Sequence, residues 1–71
     1  MTTLKDENSM NRFQIYRDTA GYYRWRLVAR NSEKVAASEA YVSKQGAIRS
    51  AERVRELARI AVIVDTILTM R

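Results

Sequence analysis

The run of residues 60–67, IAVIVDTI, places the tightest limit on how this chain can fold. β-Branched residues dominate the run, which favours a strand. Strand alternation divides its apolar side chains between two faces, with Val62 and Val64 on one and Ala61, Ile63 and Ile67 on the other. A strand that is apolar on both faces normally lies inside a sheet, and left unpaired it is an aggregation hazard. We therefore expect this run to be covered by other strands.

Two segments earlier in the chain alternate between apolar and polar residues. Residues 12–17 and 22–30 both fit a strand period of two, and residues 18–21 between them, DTAG, predict a turn. In the second segment one face carries Tyr23, Trp25, Leu27 and Ala29, and the other carries Tyr22, Arg24, Arg26, Val28 and Arg30. Only Val28 departs from the alternation. The face that holds Trp25 is predicted to be the core face.

A third strand and a helix are predicted next. Asn31 can adopt a left-handed conformation at a turn, and residues 33–41 favour a strand that several alanines weaken. Ser43 can cap a helix over residues 44–59. The apolar residues of that helix recur at spacings of three and four, which predicts one buried stripe: Ala47, Ile48, Ala51, Val54, Leu57 and Ala58. The predicted fold is α+β with the order β-β-β-α-β, preceded by a disordered tail over residues 1–11; residues 12–71 form a single domain.

The size of the chain argues for a partner subunit. With 71 residues, a single core rarely supplies more than about 3–5 kcal/mol of stability. The sequence has no cysteine and no histidine, so neither a disulfide nor a thiolate or imidazole metal site can add to it. No glycine or proline separates the helix from the last strand, which hinders a return to the same sheet. We therefore predict a homodimer that exchanges residues 60–67, with Ala61, Val62, Ile63, Val64 and Ile67 in the interface.

Three stretches carry a resemblance to a known family: GYYRWRLVARN, SEAYVSKQGAIRSAERV and AVIVD. They resemble the YegP-like family of small bacterial and archaeal proteins of unknown function. Ser32 and Ala40 depart from it, because glycine is common there in the family. The resemblance implies an antiparallel sheet with the helix on one face. It also implies that two β-β-β-α-β units build one continuous sheet and exchange their C-terminal strands. It implies no activity.

The acidic residues give no catalytic pattern. The candidates Asp18, Glu33, Glu39 and Asp65 are scattered, and we expect Glu39 to pair with Arg24 or Arg26 on a neighbouring strand. Neither a phosphate-binding glycine loop nor an acidic metal cluster occurs. We therefore predict a non-enzymatic protein without cofactor or metal. The longest apolar stretch falls far short of the roughly 20 residues that span a bilayer, and a cytoplasmic location is expected.

The basic side of the first two strands offers an alternative function. The formal net charge is +5, and arginines interleaved with tyrosines can hold phosphates and stack on bases. The candidate site for anions or nucleic acid comprises five residues, Arg12, Tyr16, Tyr22, Arg24 and Arg26, and Gln14 lies on the same face. Equally, these are ordinary strand residues that face water and cover one another. Two functions follow: a structural or protein-interaction homodimer, and a weak, nonspecific nucleic-acid binder.

Overall fold

The structure is a computed structural model, and it describes residues 10–67. It contains strands β1 (Arg12–Arg17), β2 (Tyr23–Val28) and β3 (Lys34–Ala37), followed by helix α1 (Lys44–Ile60). The strands form one antiparallel sheet in the order β1-β2-β3. The predicted α+β class, with three strands and a helix in this order, is confirmed. β2 and β3 are shorter than the predicted segments of residues 22–30 and 33–41.

The turn between β1 and β2 is organised by one carboxylate. Asp18 accepts hydrogen bonds from the backbone amides of Ala20 and Tyr22 through Oδ1, at 3.0 and 2.9 Å. Gly21 takes a φ of +94°, a conformation that side chains disfavour. The hairpin register that results pairs Ile15 with Trp25. The turn predicted from DTAG is therefore present, and it sets which residues of β1 and β2 share a face.

The turn between β2 and β3 differs from the expectation in one residue. Ser32 adopts the left-handed conformation, with φ at 72°, and Asn31 does not. Instead, the Asn31 side chain accepts a hydrogen bond from the backbone amide of Glu33, which holds the turn without a positive φ at Asn31. Further along, Val35 has no partner in β2, because the register shifts there. This bulge ends regular pairing early, and β3 has only four residues.

The core lies between the helix and the central strand. Trp25 is 6% exposed, and it packs edge-on against Phe13 with ring centroids 5.1 Å apart. Its indole Nε1 donates to the Ser50 hydroxyl on α1. Ala47 and Ala51 are buried, and their small side chains let α1 approach the indole closely. Trp25 is thus a core residue beneath the helix, as its face predicted.

Val28 is the other buried residue of β2, at 6% exposure. Its register partners are Arg12 in β1 and Lys34 in β3, so strand alternation places it on the side of the sheet away from α1. Side chains as long as these can cover a valine with their aliphatic stems. Val28 is therefore an apolar exception on the polar face of the sheet, and neighbouring side chains cover it.

The C-terminal part of the chain departs most from the prediction. α1 continues to Ile60, one residue beyond the predicted helix, and residues 61–67 adopt neither helix nor strand in the single chain. The strand expected there, which requires a second copy, stays a prediction. Leu57 and Ala58, expected in the buried stripe, are exposed. The physical reason is the width of the sheet. Three strands do not extend under the last turns of α1, and a β-branched segment without a neighbouring edge cannot form a ladder.

The predicted tail falls mostly outside the described residues. Residues 1–9 and 68–71 are not described. Of the remainder, Asn11 accepts a hydrogen bond from the backbone amide of Arg30 through its side chain, at 2.9 Å. Contact with the folded part of the chain therefore begins at least one residue before β1.

Candidate functional site

β1 has one open edge. Within residues 10–67 it pairs with β2 alone. Tyr23 exchanges both of its backbone hydrogen bonds with Tyr41, on the side of β3. Along an antiparallel strand, the backbone N–H and C=O groups of successive residues point alternately to the two neighbouring strands. The odd-numbered residues of β2 therefore make their backbone hydrogen bonds on the side away from β1. Phe13 and Ile15 pair with odd-numbered residues of β2, so their own amides and carbonyls point outward. This open edge can accept a further strand.

A groove follows the open edge on the helix side of the sheet. Phe13 and Ile15 form its floor, and both are only half-buried although they face α1. Ile48 and Ala51 of the helix supply the apolar wall. Two side chains of opposite charge, Glu52 and Arg55, complete the lining. The groove is therefore apolar inside and close to neutral at its rim.

A second groove follows the same edge on the opposite side of the sheet. All residues from Arg12 to Tyr16 line it, together with Met10 and Arg26. A lining of consecutive strand residues means that the groove runs along β1. Its charged residues are both arginines. The two grooves thus lie on either side of one strand edge and differ in charge.

The predicted basic face is assembled on the side of the sheet away from α1. The register pairs Arg12 with Val28, Gln14 with Arg26, and Tyr16 with Arg24, which brings four of the five candidate residues to one surface. The Arg26 guanidinium lies 4.5 Å from the centre of the Tyr16 ring, and its Nε donates to Gln14 Oε1 at 2.9 Å.

Tyr22, the fifth candidate, lies in the turn before β2 and is 46% exposed. Its backbone amide is the group that Asp18 holds. The predicted face therefore exists on the two strands themselves, while Tyr22 belongs to the turn beside them.

The charge of Arg24 is compensated within the hairpin. Its Nε donates to Asp18 Oδ2 at 2.7 Å. The expected pairing of Arg24 or Arg26 with Glu39 is wrong, because the turn holds Asp18 closer and Glu39 is exposed. The Arg24 hydrogen bond, followed by those from the backbone of Tyr22 and Ala20, lowers the pKa of Asp18. The same contact raises the pKa of Arg24.

The residues predicted for a dimer interface contact little in the single chain. Ile63 is fully exposed, while Val62, Val64 and Ile67 are between 69% and 79% exposed. Asp65 accepts a hydrogen bond from the backbone amide of Ile67 at 3.0 Å. Leu57 and Ile60 of the last helical turns are exposed as well, so large apolar side chains are exposed along the whole of residues 57–67. Their place in an interface stays a prediction.

Sequence reasoning missed the two grooves and the residues that line them, Met10 and Arg55 among them. Only the strand order reveals that β1 is an edge, and alternation within a single strand carries no information about order. A signal was nonetheless present. Phe13 and Ile15 belong to the core face of a strand, and half of the helical stripe that would cover them consists of alanines, whose side chains are too small to cover much apolar surface.

The described residues contain neither a cluster of metal ligands nor a membrane-spanning helix. Within residues 10–67 no three acidic side chains converge as metal ligands would, and the chain has no histidine or cysteine to add. Across the same range, no helix combines the length and apolar character needed to cross a membrane.

Comparisons with known proteins agree on a family and assign no activity. The model of a family described as "Domain of unknown function (DUF1508)" matches residues 18–65. A UPF0339 protein of Methanosarcina acetivorans is 42% identical over 55 residues, which cover 78% of this chain and 95% of the relative. One from Treponema denticola is 43% identical over 54 residues, covering 76% and 93%. The solution structure of a Haloferax volcanii protein superposes with a TM-score of 0.72 at 36% identity, covering 82% of this chain and 98% of that one. The resemblance seen in the sequence is confirmed.

Proposed function

Because the chain belongs to the DUF1508 family, whose description names no activity, we propose a function from its surface: it is a homodimeric interaction module. Residues 61–67 of each copy add as a strand to the open edge of β1 in the other copy. The two sheets then join into one, and each segment lies between the two grooves of its partner. The protein acts through this assembly, with no catalytic step.

The observation that carries the proposal is the exposure of residues 61–67. Ile63 is 100% exposed and Val62 is 79% exposed, in a segment that follows directly from α1. Contiguous exposed apolar surface of this kind marks an interaction site in a stable protein. The open edge of β1 supplies what the segment lacks, namely backbone partners and a groove on each face. Strand addition of this kind is a common mode of recognition.

The energetics favour assembly over a stable single chain. Within residues 10–67, the buried apolar residues are four: Trp25, Val28, Ala47 and Ala51. Full burial of one valine or isoleucine side chain stabilises by about 1.5–3 kcal/mol. Val62, Ile63, Val64 and Ile67 from each of two copies would together offset an association cost of about 4–15 kcal/mol.

Sedimentation velocity over a concentration range tests the proposal. We expect a dimer at micromolar concentration and a melting temperature that rises with protein concentration, because dissociation and unfolding are coupled. Truncation before Ile60 removes the exchanged segment and should leave an unfolded or aggregated chain. A well-folded monomer at micromolar concentration, with a melting temperature independent of concentration, would refute the exchange.

A second candidate function rests on the basic face. We propose that this face binds polyanions such as nucleic acid weakly and without sequence preference. The observation that favours it is Arg26, whose guanidinium lies over the Tyr16 ring while its Nε donates to Gln14. A planar cation beside an aromatic ring suits both phosphate contact and base stacking. Arg24 contributes less, because Asp18 already compensates its charge.

A gel-shift titration at low and high salt tests this second function. Binding should be micromolar or weaker and should fall steeply as salt rises, since phosphate contacts release counterions. Replacing Arg24 and Arg26 with glutamine should abolish it. The matched control is Arg49→Gln with Arg53→Gln, which removes the same charge from the exposed face of α1. Equal loss in both variants would mean that net charge, and not this face, binds the polyanion.

A further inference from the structure

Resting on the proposed exchange, we infer that the incoming segment docks in one orientation about its own axis. Asp65 lies on the side of the sheet away from α1, beside the partner's copy of Arg26. Val62 and Val64 enter the groove beneath the helix. This orientation adds an ion pair between Asp65 and Arg26 to the interface. It also makes Asp65 the residue that decides which face of the incoming strand lies toward the helix.

The choice follows from the period of the strand. In an extended segment Asp65 shares a face with Ala61, Ile63 and Ile67, while Val62 and Val64 occupy the other. Each face must enter one of the two grooves along β1. The position of Asp65 therefore decides the placement of every other side chain, because a one-residue shift reverses all of them.

The two grooves differ in how well their charges accommodate a carboxylate. Beneath the helix, Asp65 would lie among Phe13, Ile15 and Ile48, in a lining whose cation Arg55 is accompanied by the carboxylate of Glu52. Removing a carboxylate from water without a dedicated partner is costly. On the opposite side, the charged residues of the lining are arginines alone. Charge complementarity therefore favours the groove away from the helix.

Arg26 is the arginine suited to this contact. It belongs to β2, yet its guanidinium extends over Tyr16 of β1 and its side chain lines the edge groove. Its described partners are the Gln14 amide and the Tyr16 ring. Ion pairs among residues 10–67 involve Arg24 and Arg59 instead. A carboxylate that arrives on this side would thus meet a positioned guanidinium without competing against an acid within the described residues.

The remaining side chains fit the same orientation. Ile63 and Ile67 flank Asp65 on its face at a spacing of two, and the groove away from the helix offers Met10 and Tyr16 as apolar contacts. Beneath the helix, the valines meet Ile48 and Ala51. The opposite orientation would bury Asp65 between two isoleucines against the apolar wall.

Charge reversal with selective rescue tests the inference, with the dimer dissociation constant measured by sedimentation. Asp65→Lys should weaken the dimer by about tenfold or more at low salt, and adding Arg26→Glu should restore most of the loss. Adding Arg55→Glu should not. Glu33→Lys, at an exposed turn position away from β1, makes the same charge change and should leave the constant unaltered.

If a reversal variant fails to fold, a double-mutant cycle with Asp65→Asn, Arg26→Gln and Arg55→Gln asks the same question with milder changes. Coupling between positions 65 and 26, and none between 65 and 55, supports the orientation. Rescue by Arg55→Glu, or coupling to position 55, overturns it, as does an intact dimer that is indifferent to Asp65. Those results leave the exchange itself standing. A wild-type monomer would instead overturn both the exchange and the orientation.

Discussion

The two edges of the sheet are built differently. β1 has six residues paired without interruption to β2, and grooves on both faces of its outer side. β3 has four residues, all exposed, with a bulge at Val35 and Lys34 at its start. Short length, bulges and lysines are features with which proteins protect an edge from pairing. Of the two edges, β1 is therefore the one suited to receive a strand.

In the proposed exchange, an asymmetry of this kind favours a closed assembly over open-ended growth. If the exchanged segments occupy both β1 edges, the β3 edges remain as the outer boundaries of the joined sheet. Their short length and bulge oppose further addition. A chain with an exposed apolar segment and two open edges would instead risk open-ended growth.

Trp25→Ala should destroy the hydrophobic core on which the whole sheet, and so both of its edges, depends. Truncating a buried aromatic costs about 3–5 kcal/mol, comparable with the whole stability of so small a core. We expect the variant to be unfolded or nearly so by circular dichroism and by loss of the dimer. A stable, folded variant would mean that the indole, 6% exposed beneath α1, is not the centre of the core.

Val64→Lys should destabilise the dimer by placing a charge in the strand that adds to β1. In a single chain Val64 is 69% exposed, and a lysine there would be nearly neutral. In the exchanged dimer it is covered, and the substitution should cost at least about 2 kcal/mol, leaving an unfolded or aggregated chain. The matched control is Val42→Lys, at a position 84% exposed just before α1. Equal behaviour of the two variants in thermal melting would contradict the exchange.

A proline that replaces an outward-facing backbone amide should show which edge of the sheet, β1 or β3, receives the strand. The amide of Ile15 points away from β2, so Ile15→Pro blocks the outer side of β1 while leaving the hairpin ladder intact. Ile15→Ala removes the same apolar contact but keeps the amide. We expect the proline to weaken the dimer beyond the alanine by about 0.5–1.5 kcal/mol for each hydrogen bond lost, measured by sedimentation.

The counterpart on the other edge is Ala37→Pro. Ala37 pairs with Arg26, whose backbone bonds toward β1, so the amide of Ala37 points outward from β3. This proline should leave the dimer dissociation constant unchanged. A loss as large as that of Ile15→Pro would show that β3 receives the strand.

Ser32→Gly should strengthen the protected side of the sheet. Ser32 holds a φ of 72°, and a left-handed conformation costs a residue with a side chain about 1–2 kcal/mol. Glycine removes that cost but loses more entropy on folding. We expect a net gain of about 0.5–1 kcal/mol in thermal melts at constant protein concentration. Asn31→Gly, the control, loses the Asn31 side-chain bond and should destabilise.

Asp18→Asn should reveal the smallest effect, as a dependence on pH. Since Arg24 and two amides lower the pKa of Asp18 in the folded state, the unfolded state binds the proton more readily. The stabilisation is therefore present above the ordinary value of 3.8 and is lost as the pH falls through the lowered one. The melting temperature of the wild type should exceed that of the variant near neutral pH, and the gap should close in acid. A gap independent of pH would contradict this contribution.

Local patterns predicted the elements and one turn well. Alternation located β1 and β2, the stripe at spacings of three and four located α1, and the Asp-to-Gly spacing predicted the turn around Asp18. Each of these depends on residues within a few positions of one another. The basic face was predicted for the same reason, because residues two apart on a strand share a side.

The features that the sequence did not predict depend on contacts between residues far apart in the chain. Glu39 was expected to pair with an arginine across the sheet, but the turn places Asp18 nearer to Arg24. Residues 60–67 have the composition of a strand, yet a strand exists only when paired, and residues 61–67 pair with none of the strands described in their own chain. Leu57 matches the helical stripe but lies beyond the part of α1 that packs on the sheet, and it stays exposed. Strand order and sheet width decide these cases.

The most direct measurement is an isotope-filtered NOE experiment on a sample mixed from labelled and unlabelled chains, which detects contacts between copies only. Strand exchange onto the open edge predicts intermolecular contacts between the backbone of residues 61–67 and that of β1, Arg12–Arg17. Contacts of residues 61–67 confined to their own chain, or made instead with β3, Lys34–Ala37, would contradict it.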